Sequence, residues 1–130
     1  MAEKIPANAL DIVNKPALAH LATLMPDVVP QVTPVWFDYD GTYIRINTGK
    51  GRRKEKNMEE RPQVGLDIVD PDNQFHWISI RGHVSEITEN GAIEHINQLS
   101  RKYLGHEYQA FVPGEVRVIC KILPDRVVAQ

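Results

Sequence analysis

The feature that most constrains the fold is a series of short apolar runs, each of which ends at a turn signal. Runs of this length, bounded by Pro, Gly, Asn or Asp, predict β-strands. Asp40-Gly41 lies between two of the runs and predicts a tight hairpin, because glycine tolerates a positive φ. The predicted strands are residues 18–24, 31–38, 43–48, 63–69, 75–87, 116–123 and 126–128. Six or seven strands in hairpin order predict a mainly β fold, an antiparallel barrel.

Few segments have a helical pattern. The sequence predicts one helix that begins at Pro6 and is stopped by Asn14-Lys15-Pro16. It also predicts an amphipathic helix whose apolar stripe contains Ile93, Ile96, Leu99 and Tyr103. A short exposed helix is predicted before Pro62, with its one apolar residue packed on the barrel. The 130 residues contain no repeat and no linker, so we expect a single domain over residues 1–130.

The second predicted strand contains three informative positions. Pro34 has no N–H to donate to a sheet ladder, so this stretch is expected at a sheet edge, at a bulge or beside a ligand. Trp36 and Phe37 are adjacent and therefore face opposite sides of the strand. One of these two aromatic side chains is expected in the core.

Residues 50–56, here called the basic turn, contain five basic residues and one acidic residue. The whole chain has a net charge of -2, and without the basic turn 10 basic residues stand against 16 acidic ones. Like charges this close repel one another, and a bound anion would relieve that repulsion. A solvated surface turn is the alternative. A basic patch this short on an acidic chain argues against a nucleic-acid-binding barrel.

The sequence shows no metal site and no nucleophile–base motif. The five histidines lack the paired spacing of a zinc site, and Asp70 and Asp72 flank a turn proline. Cys120, the lone cysteine, lies in an apolar run and is expected to be a buried, inert thiol. The sequence contains neither a signal peptide nor a membrane span, which predicts a cytoplasmic protein.

Several short motifs occur in an order that resembles one family. They are residues 31–37 (QVTPVWF), 40–41 (DG), 47–48 (NT), 52–58 (RRKEKNM), 61–62 (RP), 69–73 (VDPDN), 80–84 (IRGHV) and 123–127 (LPDRV). Together they are similar to the split β-barrel flavin- and deazaflavin-binding superfamily, which contains pyridoxamine phosphate oxidases and coenzyme F420-dependent reductases. The short F420-dependent branch is the most similar.

The resemblance implies an antiparallel split β-barrel of the FMN-binding type and a set of cofactor-binding residues. Those that would hold the cofactor phosphate are Asn47, Thr48, Arg52, Arg53, Lys54 and Asn57. Those that would lie along the tricyclic ring are Gln31, Val32, Thr33, Pro34, Val35 and Trp36. Phe75 and Trp77 would reach the cofactor site of a neighbouring subunit, so a homodimer with the cofactor at its interface is expected.

The function implied by this resemblance is hydride transfer from reduced coenzyme F420 to an unsaturated small molecule. An FMN-dependent oxidoreductase and a non-catalytic flavin or tetrapyrrole carrier are the alternatives. The extended C-terminal substrate segment of the pyridoxamine enzymes is not found before Gln130, which argues against a pyridoxal-type substrate. The hydride chemistry belongs to the cofactor, so no catalytic side chain is assigned.

Overall fold

A computed structural model describes residues 2–130 of the chain. Its strands are β1 (Ala19–Leu24), β2 (Pro30–Val35), β3 (Phe37–Tyr39), β4 (Ile44–Gly49), β5 (Gln63–Asp70), β6 (Asn73–Thr88) and β7 (Arg117–Ala129). Its α-helices are α1 (Leu10–Val13), α2 (Arg53–Glu60) and α3 (Ala92–Leu104), and a 3₁₀ turn over Ala7–Ala9 precedes α1. No helix in this part of the chain is long and apolar enough to cross a lipid bilayer.

The seven strands form one antiparallel sheet in the order β2-β1-β5-β6-β7-β4-β3. The two edge strands of this sheet, β2 and β3, are consecutive in the chain and are separated only by Trp36. Successive Cα atoms are 3.8 Å apart, so the two edges of the sheet must meet at this residue. The sheet is therefore curled into a barrel whose edges come together at Trp36.

The break at Trp36 corrects the prediction of one strand over residues 31–38. The Phe37 N–H donates to the Tyr103 hydroxyl at 3.2 Å, and the Phe37 carbonyl accepts from Lys102 Nζ at 2.9 Å. Two side chains of α3 thus bond the Phe37 backbone, where a continuous strand would use sheet partners. Pro34 lies on the edge strand β2, as its missing N–H predicts.

The core fills the inside of the curled sheet. Phe37, Ile46, Met58 and Cys120 are almost fully buried there, which confirms three predictions. Phe37 is the aromatic residue of its pair that enters the core, Met58 anchors α2 to the barrel, and Cys120 is a buried thiol. Burial, the main cause, raises the pKa of the Cys120 thiol to about 12.

Three predicted details are wrong. The α2 helix is not simply exposed, because Glu55 and Asn57 are buried on it together with Met58. Ile93 is 53% exposed and does not belong to the buried stripe of α3. The last strand is not split into two. Arg81 pairs with Arg126 and Gly82 pairs with Pro124, so Asp125 is an extra residue on β7 that has no partner on β6. A bulge therefore replaces the expected break.

Gly82 permits the close approach of β6 and β7 at this bulge. A Cβ atom at Gly82 would lie 2.5 Å from the Leu123 carbonyl oxygen, whereas a Cβ at Gly65 would lie 3.9 Å from its nearest neighbour, the Ile80 carbonyl oxygen. We expect Gly82→Ala to lower the free energy of unfolding by about 1–3 kcal/mol, because a backbone strand must move. Gly65→Ala should change it by about 0.5 kcal/mol or less. Urea denaturation measures both variants, and equal losses would contradict this account.

Candidate active site

A cavity of about 400 Å³ lies beside Trp36, where the two edges of the sheet meet. Residues from β2, β4, α2, α3 and the start of β7 surround it, so distant parts of the sequence converge here. The residues that line it are Leu18, Pro34, Val35, Trp36, Asn47, Thr48, Arg52, Lys54, Ile96, Tyr108 and Arg117. The volume is within the range of pockets that hold small molecules and cofactors.

One wall of the cavity is aromatic and apolar. The Trp36 ring stacks on the Tyr103 ring with centroids 5.2 Å apart, and the Tyr108 ring meets Trp36 edge-on at 6.4 Å. The Tyr103 hydroxyl donates to the Ala17 carbonyl at 2.5 Å, which fixes the ring on which Trp36 rests. This arrangement gives the cavity a rigid, flat wall that suits a planar ring system.

Another wall of the cavity is cationic. Arg52 and Arg117 both pair with Glu115, at 2.7 Å and 2.9 Å. Burial raises the pKa of Glu115, but hydrogen bonds from the two guanidinium groups outweigh it, so the net shift is downward. The carboxylate is therefore held ionised between the two arginines, and it offsets one of their two charges.

Lys54 is the cation of this wall that has no carboxylate partner among residues 2–130. Its side chain is half-buried. Desolvation lowers the pKa of its ammonium group, and repulsion from Arg52 and Arg117 lowers it further. Because the positive charges destabilise one another, an anion placed between them would be bound favourably.

The local sequence explains the shape of the basic turn. Gly51 has a φ of 89°, a value that suits glycine, and its N–H donates to Glu55 Oε1 at 2.7 Å. This bond ties the turn to the first turn of α2, where Glu55 is buried. Gly49 leaves room for the Glu115 carboxylate and the Arg52 side chain, which a Cβ at that position would contact.

The structure brings together half of the residues predicted from the sequence. Pro34, Val35, Trp36, Asn47, Thr48, Arg52 and Lys54 all line the cavity. Gln31, Val32 and Thr33 lie further along β2, and Arg53 is exposed on α2. Phe75 and Trp77 lie on β6, away from the cavity.

Asn57 is also outside the cavity. It is completely buried, and its amide nitrogen donates to Thr23 Oγ1 at 3.0 Å and to Met25 Sδ at 3.4 Å. The Asn57 oxygen accepts from Arg61 Nη2 at 3.4 Å. These contacts connect α2 to β1, so Asn57 holds in place the helix that carries Lys54.

Sequence reasoning missed four residues of the cavity, namely Leu18, Ile96, Tyr108 and Arg117. Leu18 and Ile96 have the pattern of ordinary strand and helix core positions, and Tyr108 lies in a segment without periodicity. Arg117 carried a usable signal, because an arginine inside an apolar strand is seldom buried without a specific partner. Its side chain is only 5% exposed.

Four of the five histidines pair with one aspartate each. The pairs are His20–Asp67, His76–Asp11, His83–Asp125 and His95–Asp38. Asp11, Asp70 and His76 place their ligand atoms within 4.8 Å of one another. Lys15 Nζ lies 2.9 Å from Asp70 Oδ1, so the positive charge beside this buried carboxylate is the ammonium group of Lys15.

The chain is similar to known proteins over almost its whole length. The family model for pyridoxamine 5'-phosphate oxidase matches residues 5–128. Among solved structures, an F420 reductase superposes with a TM-score of 0.87 and 29% sequence identity, covering 97% of this chain and 100% of that chain. A conserved hypothetical protein from Mycobacterium tuberculosis has a TM-score of 0.75 and 25% identity, covering 98% and 85%. No curated protein matches the sequence.

A more distant structure shares the fold. General Stress Protein 26 from Bacillus anthracis superposes with a TM-score of 0.70 at 18% identity, covering 93% of this chain and 89% of that chain. These similarities and the curled seven-stranded sheet confirm the predicted antiparallel split β-barrel. This is the flavin-binding fold of the pyridoxamine 5'-phosphate oxidase-like oxidoreductases.

Proposed function

The chain belongs to the pyridoxamine 5'-phosphate oxidase family, and on that premise we propose that it is a reductase that uses coenzyme F420. The single observation that carries this proposal is that one cavity has both an aromatic wall and a cationic wall that Glu115 only partly neutralises. A deazaflavin cofactor has two parts that complement these walls: a flat tricyclic ring for the aromatic wall and an anionic phosphodiester for the cationic wall. The 29% identity to an F420 reductase supports the same choice.

The residues present fit such a cofactor. Trp36 and Val35 would lie along the ring, and Lys54, Arg52 and Arg117 would hold the phosphodiester. Reduced coenzyme F420, when bound, supplies a hydride. The protein's part is to orient the ring, to exclude water with the aromatic wall, and to leave one ring face open to an unsaturated substrate at near-attack distance, about 3–3.5 Å.

The preference for F420 over FMN rests on charge outside the cavity. Arg53 and Lys56 are exposed on α2, the helix that carries Lys54, and neither pairs with a carboxylate within residues 2–130. Coenzyme F420 has an acidic lactyl-glutamyl tail beyond its phosphodiester, whereas FMN ends at its phosphate. Exposed cations beside the site would attract that tail by charge complementarity.

A side-by-side titration with coenzyme F420 and FMN tests this preference. We expect F420 to bind more tightly at low salt, and its affinity to fall more than that of FMN as the ionic strength rises above about 0.1 M, because exposed tail contacts are screened. Fluorescence quenching or calorimetry at two salt concentrations measures both. Tighter binding of FMN at both concentrations would favour the FMN-dependent oxidoreductase instead.

Lys54→Ala tests the cationic wall. We expect the variant to fold normally and to lose about 1.5–3 kcal/mol of cofactor binding, a roughly tenfold to hundredfold weaker affinity. Lys4→Ala is the matched control, since this exposed side chain lies outside both the cavity and the basic turn. Unchanged affinity in a folded Lys54→Ala protein would remove the basic turn from the site.

We further propose that the protein is a homodimer with the cofactor at the interface. The outward face of the sheet carries exposed apolar side chains, among them Val32 (59% exposed), Phe75 (70%) and Val128 (53%). Ala22 and Gly65 leave two depressions of about 330 and 450 Å³ on this face. A second copy would cover this face and bring its own Phe75 and Trp77 towards the cavity.

Ala22→Arg tests the dimer, because this substitution places a charge on the outward face and leaves the core intact. We expect the wild type to sediment as a dimer and the variant to be a folded monomer with weakened cofactor binding. Ile93→Arg is the control, since Ile93 is 53% exposed on α3 and away from the sheet face. A wild-type protein that sediments as a monomer with full cofactor affinity would refute the proposed interface.

A further inference from the structure

The Asn47 side chain has no N–H left for a ligand. Its amide nitrogen donates to the Ala92 carbonyl at 2.8 Å and to His95 Nδ1 at 3.2 Å, which uses both amide hydrogens. Its oxygen accepts from Arg117 Nε at 2.9 Å. Although Asn47 lines the cavity, its hydrogen bonds point to the protein, and one of them holds an arginine of the cationic wall.

His95 lies behind Asn47, outside the cavity. Its side chain is 1% exposed, and its Nε2 atom lies 3.2 Å from Asp38 Oδ1. Arg45 holds the same carboxylate through two hydrogen bonds of 2.8 and 2.7 Å. Desolvation raises the pKa of Asp38, but the bonds from His95 and Arg45 outweigh it and lower the pKa to about 2, so the carboxylate is ionised and accepts a hydrogen from His95.

These partners determine which nitrogen of His95 carries the hydrogen. The Asp38 carboxylate can only accept, so Nε2 must be protonated. Asn47 donates to Nδ1, so Nδ1 must present its lone pair. Reversing the Asn47 amide would place its N–H₂ against Arg117 Nε–H and its oxygen against the Ala92 carbonyl, and both contacts would be repulsive. Each donor and acceptor between Asp38 and Arg117 is therefore fixed.

We propose that Asp38 and His95 are positioning residues that act through Asn47 to fix the Arg117 guanidinium in the cavity. Arg117 has five N–H groups. Nε–H is held by Asn47 and one Nη1–H by Glu115, which leaves three for an anion. Without the Asn47 contact, the guanidinium could turn about its long side chain towards Glu115 and Tyr108, whose ring centroid lies 5.5 Å away. The choice of coenzyme F420 as the anion rests on the proposed function, but the orientation of Arg117 does not.

Two substitutions at the same site separate the two bonds of His95. In His95→Asn, the side-chain oxygen lies close to the position of Nδ1 and can still accept from Asn47, while the bond to Asp38 is lost. In His95→Gln, the side-chain nitrogen lies close to the position of Nε2 and can still donate to Asp38, while the acceptor for Asn47 is lost. A merely structural role of the histidine would make the two variants similar.

The readout is the Arg117 Nε–H signal in ¹⁵N-edited NMR spectra of the cofactor-free protein. We expect the signal to remain near its wild-type position in His95→Asn, because an amide oxygen accepts from Asn47 without a tautomer for Asp38 to fix. We expect the signal to shift and exchange faster with water in His95→Gln. Affinity for coenzyme F420 should fall about tenfold in His95→Gln and less in His95→Asn, because one hydrogen bond to Asn47 is lost only in the former. Equal Arg117 signals in the two folded variants would overturn the proposal.

The unmutated protein provides a second test that does not depend on the folding of a variant. Long-range ¹H–¹⁵N NMR should show His95 as the neutral tautomer with its hydrogen on Nε2. A hydrogen on Nδ1 at neutral pH would overturn the proposal. Both NMR measurements use protein without cofactor, so a failure of coenzyme F420 to bind would contradict the proposed function and leave this inference to be decided separately.

Discussion

The structure depends on one covalent constraint, the single residue between the two edge strands of the sheet. β2 and β3 are at opposite ends of the strand order, and yet Trp36 is the only residue between them. The sheet therefore has to curl until its edges meet, which removes most of the open edge that an antiparallel sheet would otherwise expose. Tyr103 and Lys102 of α3 bond the backbone of Phe37, so the helix holds the corner closed.

The same corner creates the cavity. Phe37 turns into the core, and Trp36 turns outward against Tyr103. The basic turn and the start of β7 also reach this opening, with Arg52, Lys54 and Arg117. Asp38, two residues after Trp36, begins the chain of hydrogen bonds through His95 and Asn47 to Arg117. One bend in the chain thus supports both the aromatic wall and the orientation of the cationic wall.

The sequence predicts the parts of this molecule that follow from local patterns. Alternating runs predict the strands, the missing N–H of Pro34 predicts an edge, and the charge density of residues 50–56 predicts that Arg52 and Lys54 belong to a site. The break at Trp36 has no local signal, because the residues around it favour strand. Its cause is a pair of hydrogen bonds from residues of α3, more than 60 positions later in the chain. Arg117 and the buried Asn57 likewise depend on long-range contacts.

The most direct test of this account is a crystal structure of the protein with coenzyme F420 bound. The account predicts that the deazaflavin ring lies along Trp36 and Val35, and that phosphodiester oxygens lie within hydrogen-bond distance of Lys54 and Arg117. It also predicts that the Asn47 amide keeps its contacts to His95 and Arg117. A cofactor bound elsewhere on the sheet, or a phosphodiester held by Arg53 and Lys56 outside the cavity, would contradict it.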